Sequence, residues 1–154
     1  MSRPSFDDAF MAMAVTFSAR STCARLRVGA VIAGADGRQV FAGGYNGNAS
    51  GLPNKCDSDE PGACGCLHAE MNAVVNCTAA REARKVVYVT DLPCALCAKM
   101  IVNLGGVERV VYARDYRLKA GALVLSLAGV NVERYDLFQL GGVLRNLEAF
   151  LPGK

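Results

Sequence analysis

Apolar residues at Phe6, Phe10, Met13 and Phe17 recur at helical spacing, which predicts an amphipathic helix over about the first twenty residues with that stripe facing a core. Two strand-like runs, 28–33 and 40–45, flank Asp36-Gly37, a dipeptide favoured in tight turns, and should pair antiparallel. A loop rich in Gly, Asn and Pro occupies 43–65. Beyond it the pattern alternates between helix and strand, with strands expected at 86–90, 109–113 and 130–135. The intervening segments are long enough for helical crossovers, which implies parallel strands covered by helices. These expectations describe an α/β fold of three layers, α/β/α, around a mixed five-stranded sheet. Gly105-Gly106 should stop the helix that begins near Cys94. A last helical stretch, 137–151, carries Leu140, Val143, Leu144, Leu147 and Leu151 along one side.

Composition narrows the functional classes. With 154 residues, 52% of them apolar, and no break in composition, one domain over 1–154 is expected. No run approaches the roughly 20 apolar residues of a membrane span. The first apolar run begins with Asp7 and Asp8 beside it instead of a basic flank, so no secretory leader is expected. Seven cysteines without such a leader suit a reducing compartment, and the expected location is the cytoplasm. Cys77 reads as a core residue within a helix. A net charge of +3 from 17 basic and 14 acidic residues is too mild for a nucleic-acid binder. Aromatics make up only 7%, and the one compact aromatic and basic cluster is Tyr112, Arg114, Tyr116 and Arg117. A small anionic substrate fits this balance better.

The chemistry concentrates in His68-Ala69-Glu70 and Pro93-Cys94-Ala95-Leu96-Cys97. A catalytic zinc ion takes three protein ligands and leaves a fourth position open, and His68, Cys94 and Cys97 make three. Cys94 and Cys97, three apart at the start of an expected helix, lie on the same side of its first turn. His68 and Glu70 can face one site only if their helix points its N-terminus at it. Two such N-termini would favour thiolates through their partial positive charge. Alone, the CxxC pair is equally consistent with a structural zinc or a redox dithiol. A structural site would be closed by a fourth Cys or His, yet the chain has a single His, and it stands two residues from a carboxylate. That favours hydrolysis, with Glu70 as the acid/base group.

The pairing of HAE with PCxxC is the signature of zinc-dependent nucleobase deaminases. More of the chain resembles one branch, the deoxycytidylate (dCMP) deaminases. Residues 21–32 are similar to that family's first-strand signature, Gly44-Tyr45-Asn46-Gly47 to its next motif, and 66–73 and 90–99 to its zinc motifs; 112–117 and 128–132 continue the pattern. The resemblance implies a cytidine deaminase-like fold and zinc-dependent hydrolysis of dCMP to dUMP and ammonia. It also implies a homo-oligomer regulated by dCTP and dTTP. Asn46 would lie over the sugar, and backbone groups near Ala69 would read the pyrimidine. A nucleotide phosphate needs cations: Arg25, Arg27, Arg114 and Arg117 are candidates, with Arg114, Tyr116 and Arg117 placed where α/β folds bind ligands. The loop after Gly47 departs from the family pattern. Related deaminases of other cytosine or guanine compounds remain an alternative, as does a zinc-stabilised binding module without catalysis.

Cys56, Cys64 and Cys66 cluster in the long loop, and Cys23 lies in a motif that some viral members use for a second zinc. Four thiolates would close a structural tetrahedral site. The alternative is that these are small residues, some of them simply buried.

Overall fold

The computed structural model describes residues 3–153. Helix α1, Phe6–Ser18, starts at a capping box: Ser5 Oγ accepts from the Asp8 N–H, and the Asp8 carboxylate accepts from the Ser5 N–H. Strands β1, Gly29–Gly34, and β2, Val40–Tyr45, form the expected antiparallel hairpin, joined through a turn that contains Gly37 at a positive φ. After the long loop come α2 (Ala69–Asn76), β3 (Lys85–Asp91), α3 (Ala95–Leu104), β4 (Val107–Arg114), α4 (Ala120–Leu127) and β5 (Asn131–Arg134). A short 3-10 turn, Leu137–Gln139, leads into α5, Leu140–Glu148.

The five strands lie in the order β2-β1-β3-β4-β5. β1 is antiparallel to β2 and β3, whereas β3, β4 and β5 run parallel, so the sheet is mixed. Alternation along the strands divides the interior into two layers. Ala30, Ile32, Val87, Val89 and Val110 pack with Ala69, Ala73, Ala98, Ile101 and Leu125 of α2, α3 and α4. Val31, Ala33, Val86, Tyr88 and Val111 pack on the other face with Phe10, Met11 and Ala14 of α1 and with Leu140. Strands covered on both faces read as continuous apolar runs, which explains why β1 and β3 are buried throughout.

Three local expectations need correction. The buried face of α1 is Phe10, Met11 and Ala14; Phe6 and Met13 are exposed, at 53% and 36%. Phe6 instead stacks on Phe10 and lies where a side chain on Gly37 would have to go, so it covers the hairpin turn. The 137–151 stretch ends its α-helix at Glu148, and of its apolar side only Leu140 is buried; Leu144, Leu147 and Leu151 are exposed. Cys77 is the half-buried C-cap of α2, packed against the edge of the core instead of lying inside a helix.

Two glycines bring the site's helices close. A Cβ on Gly44 would stand 2.4 Å from the Ala69 carbonyl oxygen, so α2 lies directly on β2 only because this position has none. At Gly121 a Cβ would meet the Pro93 carbonyl oxygen at 1.8 Å, which lets α4 press against the start of α3.

Candidate active site

His68 and Cys94 are the N-cap residues of α2 and α3, so both helices aim their N-termini at one point. Glu70 falls in the first turn of α2 and Cys97 in the first turn of α3. His68 Nδ1 lies 3.7 Å from Cys94 Sγ and 3.4 Å from Cys97 Sγ. A tetrahedral ion with Zn–S near 2.3 Å and Zn–N near 2.0–2.1 Å would have N···S edges of about 3.5 Å, so the three donors fit zinc. The Cys97 N–H also donates to Cys94 Sγ at 3.5 Å, the interaction an N-terminal thiolate needs.

The electrostatics agree with a site made for a cation. Hydrogen bonds from Cys97 and His68 hold the Cys94 thiol down at about 3, whereas the neighbouring Cys94 sulfur and burial push Cys97 well above an ordinary thiol. His68 is raised, chiefly by its hydrogen bond to Cys94. Two adjacent sulfurs cannot both ionise without a compensating positive charge, which a divalent ion supplies. Burial also lifts the Glu70 carboxyl to about 7, with its own backbone N–H and His68 opposing that rise. A carboxyl with that value can accept and return a proton near neutrality.

His68, Glu70 and Cys94 line a cavity of about 480 Å³. Asn46, Ala69, Leu92 and Asp91 line it near the metal donors. Asn46 is 7% exposed, and its amide is engaged: Oδ1 accepts from the Val28 N–H at 2.8 Å and Nδ2 donates to the Leu26 carbonyl at 2.6 Å. Asn46 thus fixes the 26–28 segment that forms another wall. The lining also includes Arg25, Asp115, Tyr116 and Arg117. Arg114 and Arg27 are not among the lining residues. The Arg114 guanidinium pairs with Asp91 Oδ2 at 2.8 Å and donates to the Arg27 carbonyl at 3.0 Å. Of the four arginines considered from the sequence, the fold brings Arg25 and Arg117 to the cavity. Asp91 was not singled out as a cavity residue; it lies two residues before Pro93 of the PCxxC motif, and a lone acid ending a strand carries no periodic signal.

The second cysteine group also assembles. Cys23, Cys56, Cys64 and Cys66 place their sulfurs within 4.8 Å of one another. Cys56 Sγ is 3.8 Å from both Cys23 Sγ and Cys66 Sγ, and a tetrahedral Zn–S4 site has S···S edges of about 3.8 Å. Cys23, Cys64 and Cys66 also line the cavity.

An open histidine and two-cysteine donor set with a buried carboxylate beside it, just past the carboxyl end of β3, has the chemistry of a hydrolytic zinc enzyme. The family model for the cytidine and deoxycytidylate deaminase zinc-binding region matches residues 4–114, and the chain belongs to this family. It is 36% identical to ComE operon protein 2 of Bacillus subtilis, over 99% of this chain and 84% of that protein. It is 35% identical to the deoxycytidylate deaminase of Mycobacterium phage D29, over 75% of this chain and 99% of the phage protein. Among solved structures it resembles the dCMP deaminase of cyanophage S-TIM5 in complex with dCMP and dUMP, with a TM-score of 0.76, 34% identity, and coverage of 88% of this chain and 100% of that one. The cytidine deaminase-like α/β fold expected from the sequence is therefore the observed one.

Proposed function

We propose that the chain hydrolyses dCMP to dUMP and ammonia as one domain spanning 1–154. The observation that carries this reading is the buried Glu70 beside the His68, Cys94 and Cys97 cluster, in a cavity that Arg25 and Arg117 also line. His68, Cys94 and Cys97 would hold a zinc ion, which would supply the Lewis acidity that lowers the pKa of water from 15.7 toward about 7. Glu70 takes a proton from the attacking water, delivers it to the ring nitrogen beside the amine-bearing carbon, and assists a second transfer as ammonia leaves. Ala69 backbone groups and Asn46 border the base and sugar positions, while Arg25, Tyr116 and Arg117 stand where a monophosphate would lie. The similarity to the phage enzymes supports the choice of substrate.

A second zinc would be structural, closed by Cys23, Cys56, Cys64 and Cys66, and supported by the sulfur spacing above. Backbone N–H groups of Leu26 and Arg25 offset burial and hold the Cys23 thiol below its ordinary value, whereas burial and the neighbouring thiols push Cys66 up, so one cation again settles the group. Two thiolate sites fit a reducing compartment such as the cytoplasm. No helix among the described residues is long and apolar enough to cross a membrane. Exposed Val75, Leu96, Leu127 and Phe138 support a homo-oligomer, which light scattering at micromolar concentration would detect.

The test is a panel of dCMP, CMP, deoxycytidine, dCTP, guanine and single-stranded DNA, read by ultraviolet absorbance and ammonia release, with dCTP and dTTP added separately as effectors. The expected result is preference for dCMP over deoxycytidine, because arginine can make charge-assisted hydrogen bonds to the phosphate. Equal or better rates with deoxycytidine or guanine would overturn the substrate.

A further inference from the structure

We propose that Arg114 is a positioning residue, a clamp that fastens together the segments walling the substrate cavity and so sets the placement of Arg25 and Arg117. The inference rests on the reading that this cavity takes a nucleotide.

The topology makes the clamp. β3 lies between β1 and β4, and Asp91 at its carboxyl end is in register with Arg114 at the end of β4. The Leu92 N–H donates to the Arg114 carbonyl, extending that register past the strands. From β4 the Arg114 side chain reaches across the end of β3 to the Arg27 carbonyl, in the segment that enters β1. Asp91 is the fixed point beneath it. Its side chain is only 9% exposed, and Oδ2 accepts from both Arg114 and the Thr90 hydroxyl, at 2.8 and 2.7 Å. The Thr90 hydroxyl in turn accepts from the Gly29 N–H at 3.2 Å. A continuous polar chain therefore runs from the start of β1, through β3 and β4, and back to residue 27.

Each tied segment supplies part of the cavity. The 23–28 segment brings Arg25 and Leu26, the end of β3 brings Asp91 and Leu92, and the residues just after Arg114 bring Asp115, Tyr116 and Arg117. Arg25 and Arg117 are both exposed side chains on loops, so their spacing depends on what holds those loops. Removing Arg114, whose side chain is 49% exposed, leaves the buried Asp91 carboxylate without its cation, and both loops lose a shared anchor. Misplacing a binding group by about 1 Å can cost on the order of 100-fold. The competing role, direct contact of Arg114 with phosphate, makes an opposite prediction for Asp91: neutralising Asp91 would free the guanidinium and improve binding.

The experiment compares zinc-loaded wild type with Arg114→Gln, Arg114→Lys, Asp91→Asn and the double variant Asp91→Asn with Arg114→Gln. It measures kcat and KM for dCMP and deoxycytidine, zinc content, melting, and backbone hydrogen exchange over 23–28 and 115–119. Arg114→Gln and Asp91→Asn should each raise KM for dCMP about tenfold while kcat stays within about threefold. The double variant should be no worse than either single one, Arg114→Lys should recover part of the loss, and both segments should exchange faster together. An unchanged KM in Arg114→Gln, a lowered KM in Asp91→Asn, or additive losses would overturn the clamp. If wild type does not deaminate dCMP, the substrate reading fails by itself; the clamp then stands or falls on whether the two segments lose protection together. Should Arg114→Gln fail to fold, Asp91→Asn alone decides between a raised and a lowered KM.

Discussion

Lys85→Met should destabilise the protein without touching the active site. Lys85 is 0% exposed, and its ammonium donates to the carbonyls of Ala80 and Ala83 at 2.7 Å, Gly105 at 3.1 Å and Arg81 at 3.2 Å. It thereby pins the turn before β3 to the carboxyl end of α3, where Gly105 ends the helix at a positive φ. Methionine can fill the stem but offers no donor, so four carbonyls lose a cationic partner. Hydrogen bonds to charged groups contribute about 1.5–3 kcal/mol each. Three N–H groups serve the four acceptors, the buried ammonium carries its own desolvation cost, and water can reach the exposed turn residues, so the net loss should be about 3 kcal/mol. Urea unfolding of zinc-loaded protein measures it, and hydrogen exchange over 78–84 should quicken before the rest of the chain. A loss below about 1 kcal/mol would show that the four contacts merely accompany packing.

Zinc analysis should find two equivalents per chain, with Cys56→Ser lowering the count toward one while the His68, Cys94 and Cys97 site keeps its ion; one equivalent in the wild type would refute the second centre. In acid the Asp7 contacts should matter. Burial would raise its carboxyl, but hydrogen bonds from Arg109 and Tyr88 more than offset this and hold it below 3.8. A depressed carboxyl contributes stability that is fully present above the unfolded value near 3.8 and is lost as pH falls through the folded value. Asp7→Asn should therefore cost stability at pH 7 and flatten the loss below about pH 4; parallel acid-unfolding curves for the two proteins would count against it.

How much the sequence revealed depended on whether the determinant was local. The candidate donor cluster was legible because cysteines at CxxC spacing and a histidine two residues from Glu70 constrain geometry by themselves, and the fold brings these three side chains together. The sheet was legible from apolar runs separated by crossover lengths. All four cysteines of the second cluster were named from the sequence, Cys56, Cys64 and Cys66 by their proximity in the loop and Cys23 by the family resemblance alone; the fold carries Cys23 to 3.8 Å from Cys56. The role of Arg114 was not legible, since its partner Asp91 is set by the register between two parallel strands. Helix faces at the two ends misled for a related reason. Periodicity identifies an apolar side, but Phe6 spends its ring on the Gly37 turn, and Leu144 and Leu147 stay exposed on α5.

The most direct measurement is single-turnover deamination of dCMP by zinc-loaded Glu70→Gln beside wild type, with zinc content determined on the same samples. Glu70 handles protons and holds no metal in this account, so the variant should keep its zinc and fold and lose on the order of 10²- to 10⁴-fold in rate. Near-normal turnover in the zinc-loaded variant would contradict the assignment of Glu70.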